Sequence, residues 1–115
     1  MKLFTTLALS AALAGGAALA QPAQHGQMAK QDYMKAMQDM HRKMMSADDA
    51  DPDRAFALKM IQHHQGAIAM AQVLQQHGYD AELKQMAQKS SEMQRKEIAE
   101  LQAWLDRHGG RAPRK

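Results

Sequence analysis

The chain has 115 residues, a formal net charge of +3 and no cysteine. This length fits a single small domain, and so balanced a charge argues against nucleic acid as a partner. The lack of cysteine excludes disulfides, thiolate metal sites and a cysteine nucleophile.

The first twenty residues have the pattern of a secretory signal peptide. Lys2 precedes an apolar run over residues 3–13, and Ala18-Leu19-Ala20 forms a small-residue cleavage site. The run is shorter than the roughly 20 apolar residues of a membrane-spanning helix, and an uncleaved N-terminal anchor is the alternative. We therefore expect a periplasmic protein that begins near Gln21 and is not inserted in the membrane after cleavage.

Three helices and no strands are predicted after this leader. Residues 21–31 are polar and contain Pro and Gly, which predicts a flexible N-terminal arm. The first helix is expected over about residues 32–45. Because it is only about 14 residues long, it must pack on the rest of the domain to be stable.

The second and third helices have clear start signals. Asp51 is placed to cap the second helix, with Pro52 at its first position, and the helix is expected to end near Gln76, before Gly78. Asp80 is placed to cap the third helix, which is expected to run to about Arg107. A connection this short forces an antiparallel hairpin. The helical domain then spans residues 32–108 and a basic tail follows over residues 109–115. The fold class is all-α, an antiparallel hairpin plus a shorter N-terminal helix, and dimerisation to a larger bundle is open.

Both long helices carry stripes with alternating spacings of four and three residues. The stripe of the second helix is Phe56, Met60, His63, Ala67, Met70, Leu74 and His77. The stripe of the third helix is Leu83, Ala87, Ser90, Gln94, Glu97, Leu101 and Trp104. This spacing is typical of packed antiparallel helices, so we expect the two stripes to face each other. His63 and His64 would then lie opposite Gln94 and Glu97.

The middle of this seam is polar, and burying such groups unpaired costs a few kcal/mol each. One interpretation is a satisfied polar layer that fixes the helix register. The other is a metal site, because His63 lies one turn from Met60 and two turns from Met70, His64 is adjacent, and Glu97 is placed to orient an imidazole. The spacing alone leaves both interpretations open.

The first helix has a methionine- and histidine-rich face without Leu, Ile or Val. Its members are Met34, Met37, Met40, His41, Met44 and Met45. Thioether and imidazole together are ligands for soft monovalent ions, above all Cu(I) and Ag(I). We therefore predict metal binding that includes Met37, Met40, His41 and Met44. A methionine-rich face that binds a partner protein and an inert core are the alternatives.

No catalytic arrangement is found in the sequence. The Glu-x-x-His pairs of di-iron bundles, the His-Glu-x-x-His zinc motif and glycine-rich phosphate loops are absent. Ser90 and Ser91 lie in the middle of a predicted helix, without the turn that exposes a hydrolase nucleophile. We expect a protein that is not an enzyme.

Residues 56–71, FALKMIQHHQGAIAMA, resemble the domain of unknown function 305 family, in which Met precedes a His-His pair and an Ala-x-x-Met-Ala run follows. Residues 83–105 also fit, with Gln94, then Glu97-Ile98, then Trp104-Leu105, and the resemblance covers about residues 30–106.

This resemblance implies an exported, ferritin-like bundle of three to four helices. Its CopM-type members imply a periplasmic protein that binds Cu(I), Ag(I) or Cu(II), for buffering, metal resistance or transfer to a copper-handling protein. The ligands that the resemblance implies are Met60, His63, His64 and Met70, with Gln94 and Glu97 in the same layer.

Overall fold

The structure is a computed structural model that describes residues 17–109, with side chains from residue 22 onward. It contains α1 (Ala17–Ser46), α2 (Pro52–His77) and α3 (Ala81–Arg107), and these described residues form no strand. The predicted all-α class is therefore confirmed. Most of the predicted signal peptide and all but Gly109 of the predicted basic tail lie outside the described residues. Within the described part, no helix is long and apolar enough to cross a membrane.

The three helices form an open bundle in which α2 is central. α1 packs on one side of α2 and α3 on the other, and over residues 17–109 α1 and α3 do not contact each other. The α2 residues buried towards α3 are Ala57 and Ile61, and those buried towards α1 are Gly66 and Val73. At 3.6 residues per turn these two sets lie roughly 150° apart around α2. The bundle is therefore a nearly flat layer, one helix thick, with two broad faces.

The helix ends follow the predicted capping signals. Asp51 precedes α2 and accepts a hydrogen bond from the backbone N–H of Asp53, and Asp80 precedes α3 and accepts one from Leu83. Gly78 follows α2 and donates its backbone N–H to Leu74. Its φ of −77° is open to any residue, so glycine is needed here for space: a β-carbon would lie 2.6 Å from the Leu74 carbonyl oxygen.

The prediction for the first helix was wrong at its start. Residues 21–31, expected to be a flexible arm, are helical, and α1 is the longest helix with 30 residues instead of a shorter one of about 14. The physical reason is packing, because α1 runs antiparallel along α2 as far as the C-terminal end of α2. There Asp32 bonds His77, and the ring of His25 lies 6.1 Å from that of His77. Tertiary contact therefore stabilises turns that the polar sequence alone would not hold.

The prediction that the two stripes of α2 and α3 face each other was also wrong. The buried residues of α2 are Ala57, Ile61, Gly66 and Val73, which all lie outside the predicted stripe. In α3 the buried residues are Ser91 and Leu105, each one position after a predicted stripe residue. The reason is that α2 has neighbours on two sides, and small residues allow those helices to approach closely. The bulkier stripe of α2 lies between the two contacts.

The pairing register of the hairpin agrees with the sequence prediction to within about a turn. The side chain of Gln75 donates to the Lys84 carbonyl oxygen at 2.8 Å near the turn, and His64 meets Glu97 in the middle. At the open end, Arg54 bonds the carbonyl oxygens of Leu105 and His108 at 3.3 and 2.9 Å. These contacts fix which parts of α2 and α3 can form a site.

Arg54 also connects this end of the hairpin to the loop after α1. Its Nε donates to the Asp49 carboxylate at 3.0 Å. The backbone N–H of Asp51 and the Arg54 guanidinium lower the pKa of Asp49 below its usual value of 3.8. Lys59 closes the same region from α2, because its ammonium donates to the carbonyl oxygens of Met44 and Ala47 at the end of α1. Charge-assisted bonds of this kind hold the loop without any apolar core of its own.

Gly66 lies at the closest approach of α1 and α2. A β-carbon added there would lie less than 3.0 Å from three atoms of the Met40 side chain. Met40 is thus held against the backbone of α2, in a space that only glycine leaves open.

Replacing Gly66 by Ala is expected to lower the free energy of unfolding, because overpacking of this kind costs roughly 1–3 kcal/mol. The intrinsic gain of about 1 kcal/mol for Ala in a helix leaves a net loss of up to roughly 2 kcal/mol. Gly26→Ala is the matched control, since nothing lies within 4 Å of the added carbon and α1 should gain stability. Urea unfolding measures both. In a double-mutant cycle, Met40→Ala should remove much of the cost of Gly66→Ala. A Gly66→Ala variant as stable as Gly26→Ala would contradict the close packing.

Candidate metal centre

His64 and Glu97 form the central polar contact between α2 and α3. The Nε2 atom of His64 lies 2.7 Å from the Glu97 carboxylate. The imidazole is nearly buried, with 15% of its side chain exposed, whereas Glu97 is half exposed. The other ring nitrogen, Nδ1, is buried and has no hydrogen-bond partner among the described residues.

This arrangement fits the chemistry of a metal-ligating histidine. When Nε2 donates its hydrogen to a carboxylate, a neutral ring leaves Nδ1 with an unshared electron pair. Carboxylates that hold one ring nitrogen are the usual means of fixing the tautomer and orientation of a ligating imidazole. A buried nitrogen without a partner is otherwise costly, by about 1–3 kcal/mol. The unpaired Nδ1 is therefore the strongest local indication that this imidazole can act as a metal ligand.

A groove of about 360 Å³ opens beside this imidazole, between α2 and α3. Met60 and His64 line it from α2, and Glu97 and Trp104 line it from α3. A thioether and an imidazole thus border one space, since they are four residues apart and share a helix face. Trp104 is the sole tryptophan of the chain, and its ring stacks on that of His108 with centroids 4.2 Å apart.

His63 and Gln94 lie at the margin of this arrangement. His63 is exposed, and its ring lies edge-on to that of His64 with centroids 5.9 Å apart. Gln94 donates to the Ser90 hydroxyl of its own helix at 2.9 Å. Met70 is half-buried but ten residues from Met60, roughly 15 Å further along α2. The structure therefore brings Met60, His64 and Glu97 together and places Met70 elsewhere on the same helix.

The predicted ligands of α1 form a separate group, because α1 and α3 do not meet over the described residues. Met40 and Met44 are half-buried against α2, while Met37 and His41 are exposed. Met34 and Met45 are exposed as well. The predicted ligands thus lie in two places, a groove between α2 and α3 and a methionine-rich surface on α1.

A second carboxylate–histidine pair lies at the other end of α2 and was not predicted. His77 Nε2 is 2.8 Å from Asp32 of α1, its Nδ1 is also buried without a partner among the described residues, and His25 lies beside it. This pair could not be predicted from the sequence, because Asp32 lies at the start of the predicted first helix, whose packing on α2 was not predicted in register. His77 was placed in the stripe without a partner.

Within the described residues, no three His, Asp or Glu side chains come together as a potential metal site. The donors that the structure does bring together are an oriented imidazole and a thioether. Such a set matches soft monovalent ions better than zinc or calcium.

The fold and the site together define a class of protein: an open three-helix bundle whose central helix carries histidines oriented by carboxylates. The chain matches the family described as "Domain of unknown function (DUF305)" over residues 5–105, and it belongs to that family. The resemblance drawn from the His-His block is thereby confirmed. None of the curated proteins matches the chain.

Proposed function

We propose that this protein is an exported, periplasmic metal-binding protein that holds Cu(I) or Ag(I) through Met and His side chains. The observation that carries the proposal is the buried, unpaired Nδ1 of His64, an imidazole whose opposite ring nitrogen Glu97 holds and which lines one groove with Met60. The resemblance to CopM-type proteins supports the same assignment.

The tighter site draws on His64 and Met60. The imidazole supplies a nitrogen donor whose orientation is fixed by Glu97, and the thioether supplies a soft sulfur donor. Both suit Cu(I) and Ag(I), which accept few ligands and favour sulfur. His63 lies close enough to contribute from the exposed side of the same helix.

The methionines of α1 provide a second, weaker set of donors. Met37 lies three and four residues before Met40 and His41, and these lie four and three residues before Met44, so pairs one helical turn apart can share an ion. Met37 and His41 are exposed in the single chain. Such a surface suits the buffering of metal, or its transfer to a periplasmic copper-handling protein, better than catalysis.

A protein-interaction module is the second candidate function. It is favoured by the many large apolar side chains that are exposed on the described surface, among them Phe56, Met86 and Met93. In that case the methionines would bind a partner protein, and the histidines would only fix the register of the helices. The two functions differ in whether Cu(I) is bound at all.

The discriminating experiment is a Cu(I) titration under reducing conditions against a competing chelator. We expect the protein to retain Cu(I), and Ag(I) to change the fluorescence of Trp104, which lines the His64 groove. Zn(II) is the control, because thioethers offer it little, and it should be bound much more weakly. Complete loss of Cu(I) to a weak competitor would overturn the metal proposal and leave the interaction module.

A further inference from the structure

Apart from His77, which bonds Asp32 of α1, the stripe of α2 is turned away from the buried contacts with both neighbouring helices. Hereafter "the α2 stripe" denotes Phe56, Met60, His63, Ala67, Met70 and Leu74. None of these six is buried, and Phe56 and His63 are exposed. The centre of the stripe lies roughly 100° around the helix from each of the two buried sets. An unbroken spacing of four and three residues, which is the pattern of a helix packed on another helix, is thus left on an open face of the layer.

The two faces of the layer differ in character. On the face opposite the stripe, the two grooves beside α2 share Gln72 and are lined by polar side chains such as Gln76 and Arg95. Asp39, on the same face, accepts bonds from Lys35 and Arg42, and these lower its pKa from 3.8 to about 2. Asp39 therefore stays ionised at ordinary pH, and this face is suited to contact with solvent.

The stripe face continues onto both neighbours. Met93 and Met86 share a side of α3 with Trp104 at spacings of 11 and 18 residues, and they are 63% and 60% exposed. On α1, Met37 lies about 160° around the helix from Asp39, and it is 53% exposed. This side of the layer, hereafter the apolar face, therefore presents large exposed apolar side chains from all three helices, with the polar groups His63 and Glu97 among them.

The core inside the layer is small for a domain of this length. Among the described side chains, only Ala57, Ile61, Val73 and Leu105 are buried apolar residues, and no large side chain is fully buried. A domain of this size must bury about 60% of its unfolded surface to be stable. The apolar face is the surface whose burial would complete the core.

The α2 stripe is complementary to itself when reversed. About a centre at residue 65, Phe56 and Leu74 are equidistant, and so are Met60 and Met70. The remaining two, His63 and Ala67, pair a large side chain with a small one. A two-fold axis at this centre would therefore match large with large at the ends and leave space for His63 in the middle.

We propose that the apolar face is covered by a second copy of this chain, with the two α2 helices packed antiparallel about residue 65. A stable interface takes about 800 Å² from each partner, and the large side chains available on this face, Phe56, Met37, Met86 and Met93, are each more than half exposed. This proposal does not depend on metal binding.

The first test is the mass of the exported protein in solution, measured by light scattering after size exclusion in buffer that contains a strong Cu(I) chelator. We expect twice the chain mass at micromolar concentration, with the N-terminus of the exported chain defined by mass spectrometry. Ala67→Lys, on the stripe, should shift the mass to one chain. Gln72→Lys, on the polar face of the same helix, should leave the dimer intact. A monomeric wild-type protein overturns the proposal.

Cross-linking tests the orientation even if Ala67→Lys unfolds. The chain has no cysteine, so Met60→Cys and Met70→Cys each introduce a single thiol. Oxidation of an equal mixture of the two variants should give a mixed disulfide dimer, because position 60 of one copy faces position 70 of the other. Each variant alone should stay uncross-linked, since identical positions lie roughly 15 Å apart along the helices. Cross-linking of Met60→Cys alone, or of Gln72→Cys alone, would overturn the antiparallel pairing.

Discussion

Replacement of both His63 and His64 by Ala is expected to weaken the tightest Cu(I) site by more than about 100-fold. The variant removes the unpaired ring nitrogen of His64, which shares a groove with Met60, and it also removes the exposed imidazole of His63. Removal of a group that merely orients a ligand already costs 10- to 100-fold in affinity. Helical content should hold, because Ala has the highest helix propensity. Competition titration with a Cu(I) chelator measures the affinity, and circular dichroism measures the helix.

Single variants then separate the contributions of the three residues. His64→Ala should account for most of the loss, His63→Ala for less, and Glu97→Gln for about 10-fold to 100-fold, because Glu97 acts by holding the ring. His77→Ala is the matched control, since His77 is an equally buried imidazole with a carboxylate partner at the far end of α2. It should leave the Trp104 fluorescence response to Ag(I) unchanged. Unchanged Cu(I) affinity in the double variant, with a large fall in melting temperature, would favour the interpretation of a polar layer that fixes register.

The helices could be predicted from the sequence because their signals are local. Asp51, Pro52 and Asp80 act through hydrogen bonds and backbone angles within a few residues. The facing of α2 could not be predicted in the same way. Its periodicity identified a stripe suited to helix packing, but not which neighbour the stripe would meet. The close contact at Gly66 depends on Met40, which lies in another helix.

The residue types of the candidate site could be predicted from the sequence, but which of these residues lie together could be predicted only in part. The pairing of His64 with Glu97 followed from the hairpin register, since a short turn fixes which residues of two antiparallel helices lie opposite. The division of the ligands into two groups followed from the absence of contact between α1 and α3 over the described residues. Spacing within one helix carries no information about that absence. His77 and Asp32 illustrate the same limit, because their pairing joins positions 45 residues apart.

Replacement of four α1 methionines by Leu should lower the number of Cu(I) or Ag(I) ions bound while the bundle stays folded. The variant changes Met34, Met37, Met44 and Met45, and it keeps Met40, because a branched Leu at that position would press against Gly66. Leu is close to Met in volume and helix propensity, so helix content and melting temperature should hold or rise. Ion counts come from metal analysis after desalting.

The ion count and the affinity of the tightest site then report on different parts of the molecule. Because the four residues lie on α1, away from the groove that Trp104 lines, the Ag(I) response of Trp104 should be preserved. Zn(II) binding should also be unchanged, since zinc prefers nitrogen and oxygen donors to thioethers. Ion counts identical to those of the wild type would show that the α1 methionines are packing residues. The whole metal-binding function would then rest on Met60, His63 and His64, with Glu97 holding the ring of His64.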